Sequence, residues 1–159
     1  MHIHIAELNA GLGKELPFSF TTAAADIDAT AADYAFEGPI EVEGHVTNTG
    51  TGYRVEGVIR ARKRFICDRC LEECLETQEH AFSEMFRQGT PAEDDDANFF
   101  DGDEIELQEL VRDTLLAAQP LSNICKPDCK GLCPVCGANL NHGDCGCDRF
   151  VPDPRLAAL

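Results

Sequence analysis

Apolar and polar residues alternate most clearly in the middle of the chain. Ile40, Val42 and Val46 alternate with Glu41, Glu43 and His45, the period of a half-buried strand. Asn48-Thr-Gly-Thr-Gly52 is a turn cluster. Beyond it Tyr53, Val55, Ile59 and Phe65 fall on one face of a second strand, and Arg54, Arg60, Arg62 and Arg64 on the other. A third strand over residues 77–87 returns from a Cys67-Asp-Arg-Cys70 turn, so two hairpins in series predict an antiparallel meander. Residues 2–6 and 17–20 are shorter candidate strands, and residues 21–37 read as a loop or weak helix.

The period changes after residue 104. Leu107, Leu110, Val111, Leu115 and Ala118 lie at i, i+3, i+4, i+8 and i+11, an apolar stripe that predicts one amphipathic helix over residues 105–118, stopped by Pro120. Between sheet and helix, Pro91, Glu93, Asp94, Asp95, Asp96, Asp101, Asp103 and Glu104 form a self-repelling loop. Its spacing does not fit an EF-hand calcium loop. Asp153-Pro154 reads as an N-cap and first-turn proline, predicting a short terminal helix. The expected fold is α+β and β-rich: an antiparallel meander with one packed amphipathic helix and a C-terminal zinc-knuckle module. The expected division is a β-rich core over residues 1–124 and a cysteine-rich module over 125–159 docked on it.

Composition changes this picture in two ways. The chain of 159 residues has 13 Lys+Arg against 29 Asp+Glu, a formal net charge of −16. Neutralising phosphates needs an excess of basic residues, so the chain is not a non-specific nucleic-acid coat. It also carries nine cysteines. No apolar run approaches the ~18 residues of a membrane span, and the first residues do not resemble a secretory signal. The expected compartment is therefore the reducing cytoplasm, where short-spaced cysteines are metal ligands rather than disulfides.

The spacing suggests a partition. Cys133-Pro-Val-Cys136-Gly137 is a zinc-knuckle sequence, and Cys145-Gly-Cys147 supplies a second pair after a turn-rich link. His142 is an alternative ligand there. Cys67 and Cys70 form another knuckle without a local partner pair, and Cys125 and Cys129 are the pair left over. Two four-ligand sites result, two structural zinc ions in all, with Cys74 left as a small buried or idle thiol. Iron–sulfur clusters accept cysteines too, but the knuckle sequence favours zinc. Four thiolates close a zinc site to water, so neither ion would be catalytic. No nucleophile elbow, P-loop or dinucleotide fingerprint is present, and no catalytic residue is assigned. His2, His4, His45 and His80 occupy strand positions.

One basic cluster stands out: Arg60, Arg62, Lys63, Arg64 and Arg69. It is where an RNA phosphate would approach, unless these side chains pair with Glu41 and Glu43 on the neighbouring strand.

Cys67-Asp-Arg-Cys70-Leu71 and Cys125-Lys-Pro-Asp-Cys129-Lys-Gly-Leu-Cys133-Pro-Val-Cys136-Gly-Ala-Asn-Leu-Asn141 resemble the YceD family of bacterial large-subunit ribosomal RNA accumulation proteins. The Asn48-Thr-Gly50 turn and the Asp153-Pro154-Arg155-Leu156 segment fit as well, so the resemblance covers residues 35–159. It implies a cytosolic, non-enzymatic factor supporting large-subunit ribosomal RNA and ribosome assembly. The implied partners are that RNA or its precursor, a ribosomal protein, or both, with neither membrane nor small-molecule substrate. Two other readings stand beside it: an adaptor that meets a basic ribosomal protein through its acidic surface, and a thiol redox protein using Cys67 and Cys70.

Overall fold

The alternation around residues 40–66 becomes the centre of a five-stranded sheet in the computed structural model, which describes residues 1–90 and 97–148. The strands are β1 (His2–His4), β2 (Glu15–Thr22), β3 (Tyr34–Asn48), β4 (Tyr53–Ile66), β5 (Glu73–Gln88), β6 (Asn98–Phe100) and β7 (Glu104–Glu106). Among the described residues one α-helix, α1, spans Gln108–Ala117. The sheet order is β2-β3-β4-β5-β6, and β1 pairs with β7 in a separate two-stranded sheet. β2 is antiparallel to β3, from Glu15 opposite Thr47 to Thr22 opposite Ile40. The meander is as expected, with short β6 added parallel to β5.

The β3–β4 turn follows from its residues. The Asn48 side-chain oxygen accepts the Gly50 N–H at 2.8 Å, and Gly50 takes φ +85°, a backbone conformation that costs glycine little. Thr49 closes the turn by donating its N–H and its hydroxyl to the Gly52 carbonyl, both at 2.9 Å. Beyond the turn, alternation decides what is buried: Val42, Val46, Val55, Ile59, Ala61, Phe82 and Phe86 face the core. Ile3, Ile5, Leu8, Ile27, Ala29, Ile40, Ile105, Leu107, Val111 and Leu115 complete it.

The helix begins later than the apolar stripe predicts. Glu104-Ile105-Glu106 forms β7, with Ile105 opposite Ile3. Pairing with β1 buries both isoleucines, and α1 starts only afterwards. Within the stripe Leu107, Val111 and Leu115 are fully buried, whereas Ala118 is exposed. The acidic positions 93–96 and the helix expected at Asp153-Pro154 lie outside the described residues. Among the described residues no helix is long and apolar enough to cross a membrane.

The chain divides into two compact units. The first comprises Met1–Arg64 and Leu75–Pro120. The second comprises Phe65–Cys74 together with the described residues from Leu121 on, and it contains all nine cysteines.

Candidate metal centres

The two CxxC turns of the second unit close in the same way. At the first, Cys67 N–H donates to the Glu72 carbonyl at 2.9 Å and Leu71 N–H to the Cys67 carbonyl at 2.8 Å. At the second, Cys133 N–H donates to the Ala138 carbonyl and Gly137 N–H to the Cys133 carbonyl, both at 2.8 Å. The residue after the second cysteine takes positive φ in each, +60° at Leu71 and +75° at Gly137. The turn thus demands a left-handed residue there, which glycine supplies at no steric cost and leucine does not.

Asp68 joins the first turn to its distant partners. Its carboxylate accepts the Asn123 N–H at 2.7 Å and the Ser122 hydroxyl at 3.0 Å, while its own N–H donates to the Asn123 carbonyl at 2.8 Å. This clamp sets the segment whose next residues reach Cys125. Cys125 N–H then donates to Cys67 Sγ at 3.3 Å, and the Arg69 guanidinium donates to the Cys129 carbonyl at 3.2 Å. Neither Asp68 nor Asn123 is among the residues that the spacing singles out, because a single cross-chain clamp leaves no periodic signal.

Cys67, Cys70, Cys125 and Cys129 converge, their four sulfurs all within 4.8 Å of one another. Cys67 Sγ lies 3.9 Å from Cys129 Sγ, and Cys70 Sγ 3.7 Å from Cys125 Sγ. A tetrahedron of sulfurs bonded to zinc at ~2.3 Å has edges of about 3.8 Å, so the spacing fits that ion. Cys133, Cys136, Cys145 and Cys147 form a second set within the same 4.8 Å limit. His142 stands outside it, its Nε2 2.6 Å from Glu72 Oε1. Cys74 is a fifth thiol packed against the first set, its Sγ 3.5 Å from the Glu72 carbonyl.

Electrostatics separates the sulfurs within each set. Burial pushes the Cys67 thiol up, but the backbone N–H groups of Cys125, Cys70 and Arg69 outweigh it and hold it down at about 6. The N–H groups of Cys136 and Val135 bring Cys133 to about 6. Cys125 is raised by burial and then by its sulfur neighbours, and Cys147 is pushed up to about 12 by hydrogen bonding with Cys136 and Cys145. One thiolate in a set thus hinders the next, and a bound cation removes that conflict.

Within the basic cluster, Arg60 and Arg64 are paired with carboxylates. Arg60 pairs with Glu43 at 2.8 Å and Glu79 at 3.0 Å, and Arg64 with Glu37 at 2.6 Å. Arg62 lies with its guanidinium beside Gly38. Lys63 is only 1% exposed, its ammonium 4.5 Å from the centre of the Tyr34 ring. It shares the parity of Ile59, Ala61 and Phe65, so it sits on the inward face of β4 rather than beside the arginines. Arg69 belongs to the second unit, against Cys129 as described. Elsewhere His2 and His4 flank Glu104 at 3.6 and 3.1 Å, His45 lies 3.6 Å from Glu56, and His80 contacts Gln78 at 3.3 Å.

Comparison with known proteins gives one family. The model described as Large ribosomal RNA subunit accumulation protein YceD matches residues 55–159. An uncharacterized protein of Mycobacterium tuberculosis is 30% identical over 125 residues, covering 76% of this chain and 60% of that protein. The chloroplastic large ribosomal RNA subunit accumulation protein YCED homolog 1 of Arabidopsis thaliana is 26% identical over 158 residues, 80% of this chain and 49% of that protein. Its Zea mays namesake is 29% identical over 142 residues, 69% of this chain and 48% of that protein. The chain therefore spans 60% of the length of the mycobacterial relative and about half that of the plant relatives. No solved structure matches it.

Proposed function

The chain belongs to the YceD family, and from that premise we propose that it is a zinc-stabilised, non-enzymatic cytoplasmic factor supporting large-subunit ribosomal RNA accumulation and ribosome assembly. The observation that carries the metal part is the convergence of two four-cysteine sets in one compact unit. Cys67, Cys70, Cys125 and Cys129 hold one ion, and Cys133, Cys136, Cys145 and Cys147 the other. Four thiolates leave no coordination position for water, so both ions serve folding rather than catalysis. Cys67 and Cys70 lying in a four-sulfur group, rather than as an isolated dithiol, counts against redox use. The relatives' names supply the link to ribosomal RNA.

A strain lacking the gene tests the role: precursor and mature large-subunit RNA are quantified, and unchanged ratios overturn it. Native mass spectrometry tests the metal content, with two zinc ions per chain expected. A second reading concerns the partner. The carboxylates on Arg60 and Arg64 favour contact with a basic ribosomal protein over direct RNA contact at that strand. Nuclease-resistant co-purification supports the protein contact, whereas loss on nuclease treatment supports RNA.

A further inference from the structure

The link between the two halves of the second cysteine set, residues 137–144, also makes contacts to the first set. Asn141 is the principal one. Its side-chain Nδ2 donates to Cys129 Sγ at 3.3 Å, while its Oδ1 accepts the Lys130 N–H at 2.9 Å. The residue is itself held in place. Asn141 N–H donates to Asn139 Oδ1 at 2.9 Å, and Leu140 N–H to the Gly131 carbonyl at 2.9 Å. Asn139 and Leu132 form an isolated β-bridge. A second tie runs parallel. His142 Nε2 meets Glu72 Oε1 at 2.6 Å, and the other oxygen of Glu72 lies 3.8 Å from Cys70 Sγ.

The topology gives these contacts a consequence. An ion held by Cys133, Cys136, Cys145 and Cys147 fixes both ends of the 137–144 link, and so removes much of the conformational freedom that Asn141 must otherwise lose to reach Cys129. A hydrogen bond from an amide N–H to a metal-bound thiolate is charge-assisted, and it orients and stabilises the ligand. We propose that Asn141 is a positioning residue through which the two cysteine sets bind their metal ions cooperatively. The proposal rests on the reading that both sets hold metal. Linkage is reciprocal, so filling the first set raises the affinity of the second by the same factor.

The test uses the full chain, zinc, and a chelator of known affinity. Populations with zero, one and two ions are counted by native mass spectrometry for the wild type, for Asn141→Asp, and for Cys145→Ser combined with Cys147→Ser. Asn141→Asp keeps an oxygen to accept from Lys130 but replaces the donor to Cys129 with an anionic oxygen, so Asn141→Leu, which removes the donor without adding charge, is measured beside it and is expected to weaken the first set as well. In the wild type, the zero- and two-ion species dominate at intermediate chelator. In Asn141→Asp, the first set weakens about ten- to hundredfold and a one-ion species accumulates. The double serine variant weakens the first set by a similar factor. With cobalt at saturation, Asn141→Asp still fills both sets, and its sulfur-to-metal charge-transfer band moves to lower energy, a shift that loosened packing alone does not produce. Unchanged first-set affinity in Asn141→Leu and the double serine variant, with two zinc ions in the wild type, overturns the coupling and leaves the metal reading standing. A wild type that binds no zinc overturns the metal reading and the coupling with it.

Discussion

Stripping the metal should unfold the second unit while leaving the first folded, and the magnitudes behind this expectation are in the burial pattern. Besides cysteine, the buried apolar side chains among the described residues of the second unit are Phe65 and Leu140. At roughly 1.5–3 kcal/mol each, they supply about 6 kcal/mol at most. A structural zinc in a small cysteine site contributes about 10–16 kcal/mol of apparent folding free energy near neutral pH. Domains retain only ~5–15 kcal/mol of net stability, so losing even one ion removes as much as such a unit could hold. The first unit, by contrast, draws on Val42, Val46, Val55, Ile59, Ile105, Leu107, Val111, Leu115 and their neighbours, and no cysteine.

Amide hydrogen exchange read by mass spectrometry separates the two units. In the loaded chain, the hydrogen-bonded N–H groups of Cys67, Leu71, Leu132, Cys133, Gly137 and Leu140 exchange slowly. After dialysis against excess chelator under reducing conditions, protection at these six collapses while that in β3 and α1 persists. If a chain with no detectable metal keeps slow exchange at Cys67 and Cys133, the metal is not what folds this unit.

Three further outcomes follow from the same geometry. Cys133→Ser should lower the metal content from two ions per chain to one, whereas Cys74→Ser should leave two, as measured by metal analysis of the purified chain. Acidification should release metal, because protons compete with the ion for the thiolates; without metal Cys67 and Cys133 are held at about 6 against the ordinary thiol value of 9.0, so the stabilisation from their ionised forms is complete above pH 9 and is lost as pH falls through 6, and a bound cation moves that loss to lower pH. Thermal melts and metal analysis from neutral pH down to about pH 4 check it, and a metal content and melting temperature unchanged over that range would contradict it. Leu71→Gly should stabilise the second unit by about 0.5–1 kcal/mol, because an exposed leucine at φ +60° carries left-handed strain that glycine lacks; Gly137→Leu should cost about 1–2 kcal/mol, both read from chelator-induced unfolding midpoints.

What the sequence reveals of this fold depends on how many residues carry each signal. The long strands were legible because Ile40 to Val46 and Tyr53 to Phe65 repeat one period many times over. β6 and β7 have three residues each, too few to establish a period. In β7, Glu104-Ile105-Glu106 in fact alternates, but Leu107, Leu110 and Val111 next to it drew the residues into a helical stripe. The two cysteine groups were legible because a knuckle announces itself by spacing and eight cysteines divide into two fours. Asp68, Asn123 and Asn141 were not, since each acts through a few hydrogen bonds, the decisive ones with partners 11 to 55 residues away. Lys63 shows the reverse error. Counting basic residues along the chain merges the two faces of a strand, although its odd position already separates it from Arg60, Arg62 and Arg64.

That separation bears directly on the partner. On the proposed metal content, two zinc ions held by four thiolates each would carry about −2 apiece, moving the formal charge from −16 toward about −20. On β4, Arg60 and Arg64 already face Glu43, Glu79 and Glu37, and Lys63 lies inside. A phosphate backbone approaching this strand would have to displace carboxylates from the arginines, exchanging one exposed ion pair for another. Such pairs contribute only about 0–1 kcal/mol each, so the exchange gains little while the surrounding acidic surface repels the approach. A basic protein needs no such exchange, and the same acidic surface steers it in. For the proposed role, these features favour a basic protein partner over direct RNA contact at β4. Arg60→Glu discriminates between the routes. It should strengthen binding to a basic partner or leave it unchanged, but it should abolish binding that depends on phosphate contact at β4.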